Sequence, residues 1–287
     1  MTASPGPSPD PGIAEFLEHI YYECNRLERL KRDPLAIVRR FGQSADREVA
    51  GLLCSTLAFG SVDLILKACA RALEPLGAQP AATLDAMDDS DILHFWGDFQ
   101  YRFCFPADIQ ALLRGIREAR RNWGSLEGLF LAGDIAGQGL EVTTGAFVRK
   151  ARNLGSIARN GGAGAGSVGA TIRRNLLPDP ADGSACKRLF LFLRWMVRRD
   201  DIDPGGWNSV LPSRLIVPLD VHMARTCRER LGFLGKARAS TAPTLRDALE
   251  VTARFALYSP EDPVKYDFAL TRPGIDPHPG DEVFGCF

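Results

Sequence analysis

Apolar residues recur along this chain at spacings of three and four, and no long stretch alternates apolar with polar residues as a half-buried strand requires. Ile13, Phe16, Leu17, Ile20 and Leu27 form one stripe. Val49, Leu52, Leu53 and Thr56 form a second, with Ser44 or Asp46 placed to cap it. Leu64, Ile65, Ala68 and Leu73 make a third, and Ile109, Leu112, Leu113 and Ile116 a fourth. A late helix carries Leu245, Leu249, Ala253 and Leu257. Ser259-Pro260-Glu261-Asp262 then reads as the start of another, with proline at the first helical position and acids at the positive end of the dipole. The run Leu189 to Leu193 has the length of a buried strand, but Lys187-Arg188 before it and Arg194-Trp195-Met196-Val197 after it make a long buried helix the better reading. The pattern predicts an all-α fold.

With 287 residues, 45% of them hydrophobic, the chain has ample material for one large domain or two intimate ones. Residues 1–12 hold four prolines and two glycines and read as a disordered tail. They lack the basic and apolar regions of a secretory signal. The most apolar stretch, Leu189 to Val197, is short and broken by Arg194, so no membrane partner is expected. The seven cysteines are dispersed and odd in number, with no CxxC pair. That argues against a disulfide framework, a zinc ribbon or a cysteine-ligated cluster, and for reduced core thiols in a cytoplasmic protein. No metal or other cofactor is expected.

Thirty-five basic and 35 acidic side chains cancel, which speaks against a generic nucleic-acid coat protein but leaves room for a local basic cleft. Between Val142 and Pro178 there is no acid, while Arg149, Lys150, Arg152, Arg159, Arg173 and Arg174 are all basic. That segregation suits either a surface facing a polyanion or a merely solvated basic face. Gly161 to Gly169 within it is a flexible loop without the lysine of a phosphate-cradling motif.

Two residues carry the chemical reading. Asp220 stands between the apolar run Leu215-Ile216-Val217 and a helical segment with Val221, Ala224, Cys227 and Leu231 on one face, where it is well placed as an N-cap. Lys187 follows a proline-rich hairpin, Leu176 to Gly183, in the first turn of a helix starting near Ser184. A lysine there is misplaced for the helix dipole; the dipole and partial burial both favour its neutral, nucleophilic form. The plain alternatives are a simple cap and a solvated surface lysine.

A glycine-containing hairpin, a helix with an early lysine and then P-[apolar]-D-x-H-x-A-R opening a second helix resemble the helix-hairpin-helix DNA glycosylase superfamily. In that family a hairpin of the kind LPGVGRKTA precedes a VDTHVxRV segment. Gly183 matches the last hairpin glycine, Lys187 the Schiff-base lysine, Asp220 the aspartate, and His222 and Arg225 the polar residues after it. Ala50 to Leu73 is similar to the family's early helix pair, so that the bend from Ser55 to Phe59 would border the lesion pocket. The hairpin departs from the pattern: Asp179-Pro180-Ala181-Asp182 separate Pro178 from Gly183, and Lys187 and Asp220 lie 33 residues apart. That spacing is wider than in the endonuclease-like members, and the widened hairpin resembles the archaeal 8-oxoguanine glycosylase branch more. The whole chain also resembles a bacterial family of uncharacterised function with the signatures GSACKRxxLFLRWMVR, PLDVHxAR and DPVKYDFAL.

The resemblance implies two helical lobes within residues 13–287 and a monomer acting on damaged duplex DNA at the nucleoid. It implies base excision with associated abasic-site lyase activity, on oxidised purines such as 8-oxoguanine. Lys187 would attack C1′ of an extruded nucleotide and Asp220 would stabilise the cationic sugar and relay protons. Gly183, Ser184, Arg173, Arg174, Arg188, His222 and Arg225 would hold the DNA. Leu57, Phe59, Trp195 and Trp207 would supply the base pocket, with core packing the competing role for Trp195. Two other classes stay open: a non-catalytic helix-hairpin-helix protein gripping the nucleic-acid backbone, and a helical interaction protein with no nucleic-acid role.

Overall fold

The structure is a computed structural model that describes residues 8–156, 172–235 and 242–284. Among these residues there are thirteen α-helices and no strand, only three isolated bridges. None of these helices is long and apolar enough to cross a membrane. The glycine-rich loop at 161–169 and Arg159 lie outside the described residues.

Helix α1 (Pro11–Cys24) begins at Asp10, whose carboxylate accepts from the Gly12 and Ile13 N–H groups. Capped helix therefore starts inside the stretch expected to be tail. Leu17, Ile20 and Cys24 are its buried face; Leu27 falls beyond it, in a 3₁₀ turn, and is exposed. The short α2 (Leu35–Val38) leads to α3 (Ser44–Leu57), where the cap position is Gln43. Neither Ser44 nor Asp46 caps α3. The Asp46 carboxylate accepts instead from the Ala81 N–H, near the start of α5 (Pro80–Ala86). Between them α4 (Val62–Leu73) buries Ile65, Ala68 and Leu73 and leaves Leu64 exposed.

Four helices follow: α6 (Asp89–Phe95), α7 (Pro106–Trp123), α8 (Leu126–Leu131) and α9 (Leu140–Gly155). The α7–α9 contact depends on two glycines. A β-carbon on Gly115 would stand 2.7 Å from the Ala151 carbonyl oxygen, and one on Gly155 only 2.4 Å from that of Ala111. Backbone meets backbone here, so neither position has room for a methyl group.

Helix α10 (Lys187–Val197) packs on α3 and buries Leu189, Phe190, Phe192, Leu193, Trp195 and Met196, as a helix rather than a strand. It opens at Lys187 itself, three residues later than the Ser184 start expected. Helix α11 (Val221–Glu229) buries Met223, Ala224, Thr226 and Cys227, while Val221 is exposed. In α12 (Leu245–Phe255) the buried stripe is Ala248, Val251 and Phe255, with Ala253 and Leu257 on the outside. The segment from Ser259 to Asp262 forms turns, not a helix. Asp262 precedes Pro263, which disfavours the helical conformation there, and helix resumes only in α13 (Asp267–Ile275). Helix α13 packs on both α1 and α11 and lines a cavity together with Asp220. The six described cysteines are all buried free thiols.

Gly155→Ala is expected to destabilise the fold by about 1–3 kcal/mol, the range for forcing extra methyl groups into a packed contact. Chemical denaturation with an unchanged m-value would show that α7 and α9 have been pushed apart without loss of two-state unfolding.

Candidate active site

The amine of Lys187 and the carboxylate of Asp220, 33 residues apart in sequence, meet directly: Nζ donates to Oδ2 at 2.7 Å. The same carboxylate caps α11, its Oδ1 accepting from the Met223 N–H at 2.8 Å. The capping and pocket readings of Asp220 therefore hold together. Asp220 is 21% exposed and Lys187 37% exposed at the side chain, so the pair sits at a pocket edge. Burial pushes the Asp220 carboxyl up, but the Lys187 ammonium and the Met223 N–H outweigh it and leave it below the usual carboxylate range.

The pair borders a cavity of about 300 Å³, at the small end of the range for ligand sites. Its apolar wall includes Phe59, Val62, Ile65 and Leu191, and its polar wall Arg32, Asp33, Arg194, Asp267 and Arg272. Asp220, His222, Thr271 and Ile275 also line a second cavity of about 210 Å³, with Arg225 on its border. Asp220 thus stands on the ridge between two hollows.

The charged floor was not foreseen. Arg194 pairs with Asp267 on α13 and with Asp203, at 3.1 Å; all three are almost fully buried. Arg198 pairs with Asp203 as well and reaches Asp262 at 2.8 Å. Arg272 meets Asp33 at 3.0 Å and lies over the Phe268 ring, 4.3 Å from its centroid. Its Nε is buried and has no hydrogen-bond partner among the described residues. Burial raises Asp267; Arg194 and Lys187 oppose that shift and the Asp220 carboxylate adds to it, so Asp220 and Asp267 share one field. The signal was in the sequence: an arginine inside LFLFLRWMV demands an acid partner.

Of the expected pocket residues, Phe59 lines the cavity with its neighbours Ala58 and Gly60. Leu57 is 1% exposed and does not line it. Trp195 has no exposed surface at all, and Trp207 is 2% exposed, donating its indole N–H to Glu48 at 2.7 Å. Glu48 also accepts from the Leu126 and Glu127 N–H groups at the start of α8. Both tryptophans are core, and neither can stack on a base without opening it.

The hairpin residues and arginines fall into two groups. Gly183 takes the left-handed conformation at φ 81° and, like Ser184, is exposed at the surface ahead of Lys187. His222 and Arg225 are exposed on α11. Arg173 is tied to Asp108 at 2.7 Å and Arg174 to Asp182 at 3.4 Å. Arg188 donates to the carbonyls of Thr56 and Asn175 and lies over Phe59; burial pushes its pKa down to about 10, still a cation at neutral pH. Arg149 pairs with Asp179, and Arg152 donates to the Leu177 carbonyl. Of the five residues expected at one basic mouth, Lys187, Arg188, Arg173, Arg174 and Arg225, Arg188 lies over the Phe59 ring of the cavity wall and Arg225 lines the second cavity. Only Lys187 lines the larger cavity, and Arg173, Arg174 and Arg188 already have acceptors within the chain.

A family model described as a protein of unknown function (DUF2400) matches residues 33–276, which includes Lys187, Asp220 and every charged residue of the cavity floor. The chain belongs to this family. No curated protein and no solved structure matches the chain. The matched span begins at Asp33, the acid that pairs with Arg272, and ends at Asp276, one residue past α13. The family region thus contains both halves of the Lys187–Asp220 pair and the helix beneath it.

Asp220→Ala removes cap and ion pair together and is expected to cost at least the cap's contribution, about 0.5–2 kcal/mol, whereas Asp220→Asn keeps a capping oxygen. Because the folded carboxyl lies below its unfolded value, its contribution is complete above about pH 4 and is lost as pH falls through the folded pKa. Acid denaturation of Asp220→Asn should therefore show a shallower pH dependence below about pH 4 than the parent chain.

Proposed function

We propose that the protein is a DNA base-excision enzyme, an N-glycosylase with associated abasic-site lyase activity, acting on a damaged base of the oxidised-purine type such as 8-oxoguanine. In this reading the helices form a two-lobed helix-hairpin-helix glycosylase-like fold, and the cavity holds the base of a nucleotide extruded from duplex DNA at the nucleoid. The observation that carries it is the direct Lys187–Asp220 pair at the edge of a partly apolar cavity. The hairpin before Lys187 and the half-exposed Phe59 ring beside the cavity support it.

The chemistry follows from the two groups. Lys187 gives up a proton to free its lone pair and attacks C1′; the bond from C1′ to the base breaks, and the base leaves with the electron pair and takes up a proton. Opening of the sugar ring leaves a Schiff base between C1′ and Nζ. Loss of a C2′ proton then expels the 3′ phosphate, and water hydrolyses the imine to regenerate the amine. Asp220, held ionised, is a weak proton acceptor but a strong stabiliser of the positive charge that develops on the sugar.

Borohydride trapping on duplexes carrying 8-oxoguanine or an abasic site tests this. Lys187→Gln should abolish the covalent adduct with affinity nearly unchanged. Asp220→Asn should slow turnover by about two to three decades, the usual worth of a positioned group that stabilises developing charge, while leaving the fold intact. Absence of any adduct with the parent chain on either duplex, with salt-sensitive binding retained, would replace the enzyme with the backbone-gripping alternative.

A further inference from the structure

At the rim of the same cavity, Tyr101 and Cys104 exchange both backbone hydrogen bonds, at 2.9 and 2.8 Å, closing a tight turn on Arg102 and Phe103. Arg102 has φ 51°, one of two non-glycine residues with positive φ among the described residues. Glycine or asparagine takes that conformation with less strain than a long side chain does. The turn is anchored on every side but one. Phe103 stacks on Phe59 with ring centroids 4.2 Å apart, and the Tyr101 hydroxyl donates to the Phe59 carbonyl. Gly60 sits so close that a β-carbon on it would be 3.0 Å from both Arg102 Nη1 and Tyr101 Oη. Phe59 and Gly60 line the Lys187 cavity, so the Arg102 guanidinium lies at its mouth.

Arg102 differs from the arginines around it. Arg173, Arg174 and Arg188 each have an acceptor within the chain. Arg102 is exposed and, among the described residues, makes no ion pair and no hydrogen bond. A strained backbone held rigid beneath a cation with no internal partner implies that the cation is used by something outside the chain. At the mouth of a cavity suited to a nucleotide, the acceptor of matching charge is a phosphate oxygen, which a guanidinium meets with paired N–H donors.

We infer that Arg102 binds a backbone phosphate of the nucleic-acid strand that enters the Lys187–Asp220 cavity, an inference resting on the nucleic-acid reading above. The turn acts as a fixed base: its backbone conformation is set before the strand arrives, so little backbone freedom is lost on binding.

The test is affinity of the full chain for a short duplex carrying a tetrahydrofuran abasic-site analogue, measured over a series of salt concentrations. Each phosphate neutralised contributes roughly 0.9 to the slope of log affinity against log salt. Arg102→Gly and Arg102→Asn should each lower that slope by about one phosphate's share, weaken binding at low salt and leave the melting temperature undiminished. Arg102→Lys, which keeps the charge, should restore the slope. A parent slope kept in full by both Arg102→Gly and Arg102→Asn would overturn the inference while leaving the nucleic-acid reading standing. So would a melting temperature that falls with affinity in both, since the side chain would then be a structural cover for Gly60. A parent chain with no salt-dependent binding would sink the nucleic-acid reading and this inference together.

Discussion

The guanidinium of Arg194 lies in the last turn of α10, 3% exposed, amid leucine, phenylalanine, tryptophan and methionine. A cation taken that far from water is stable only with charged partners in good geometry, and leaving one unpaired costs about 3–5 kcal/mol. Asp267 and Asp203 answer it from two other segments, and Arg198, the residue just past the end of α10, shares Asp203. The first helical residue of α13 is thereby fixed against α10, and α13 in turn packs on α11, which carries Asp220 at its head. The distance between Lys187 and Asp220 is set by this chain of contacts as much as by their own ion pair.

Such a network says little about net stability, because well-packed apolar residues of the same volume often do as well as a buried ion pair. What it supplies is register. A leucine or methionine at 194 would tolerate α13 sliding along α10, whereas a planar guanidinium facing two carboxylates fixes both the position and the rotation of α13. The same logic accounts for the basic segment ahead of the hairpin. Asp179 and Asp182 place negative charge in the turn before Lys187, and Arg149 and Arg174 neutralise it. Within the basic segment Arg149, Arg173 and Arg174 each meet an acid, while Lys150 and Arg152 donate to backbone carbonyls.

Much of the fold was legible because the spacing of apolar residues carries it. The stripes in α3, α4 and α7, the helical reading of Leu189 to Leu193 and the dual role of Asp220 all follow from period and capping chemistry. Less legible was anything decided between distant segments. Asp46 fits the start of its own helix but caps another across the fold, a choice local sequence cannot show. Trp207 reads as a candidate stacking ring until Glu48, 159 residues away, takes its N–H. Arg173 and Arg174 look like free cations only while their acids are unassigned. The cavity floor was invisible for the same reason: Asp33, Arg194, Asp267 and Arg272 become one site only after α10 and α13 meet.

Backbone conformation aims the two side chains that the ion-pair network brings together. Cys186, the residue before Lys187, is the other non-glycine with positive φ, at 47°, and it directs the chain out of the hairpin so that Lys187 becomes the first residue of α10. Left-handed backbone at a cysteine costs of order 1–3 kcal/mol, and such conformations persist only where the surroundings over-determine them. Here Cys186 is buried, and its N–H is held by the Ser184 hydroxyl. On the other side, Asp220 divides its two oxygens between the α11 backbone and Lys187, so the cap immobilises the carboxylate before any ligand arrives. One partner is held by a strained backbone residue and the other by a helix terminus. An ion pair made in this way is preorganised: its geometry is paid for during folding, and a ligand charge that replaces either partner meets groups already in place.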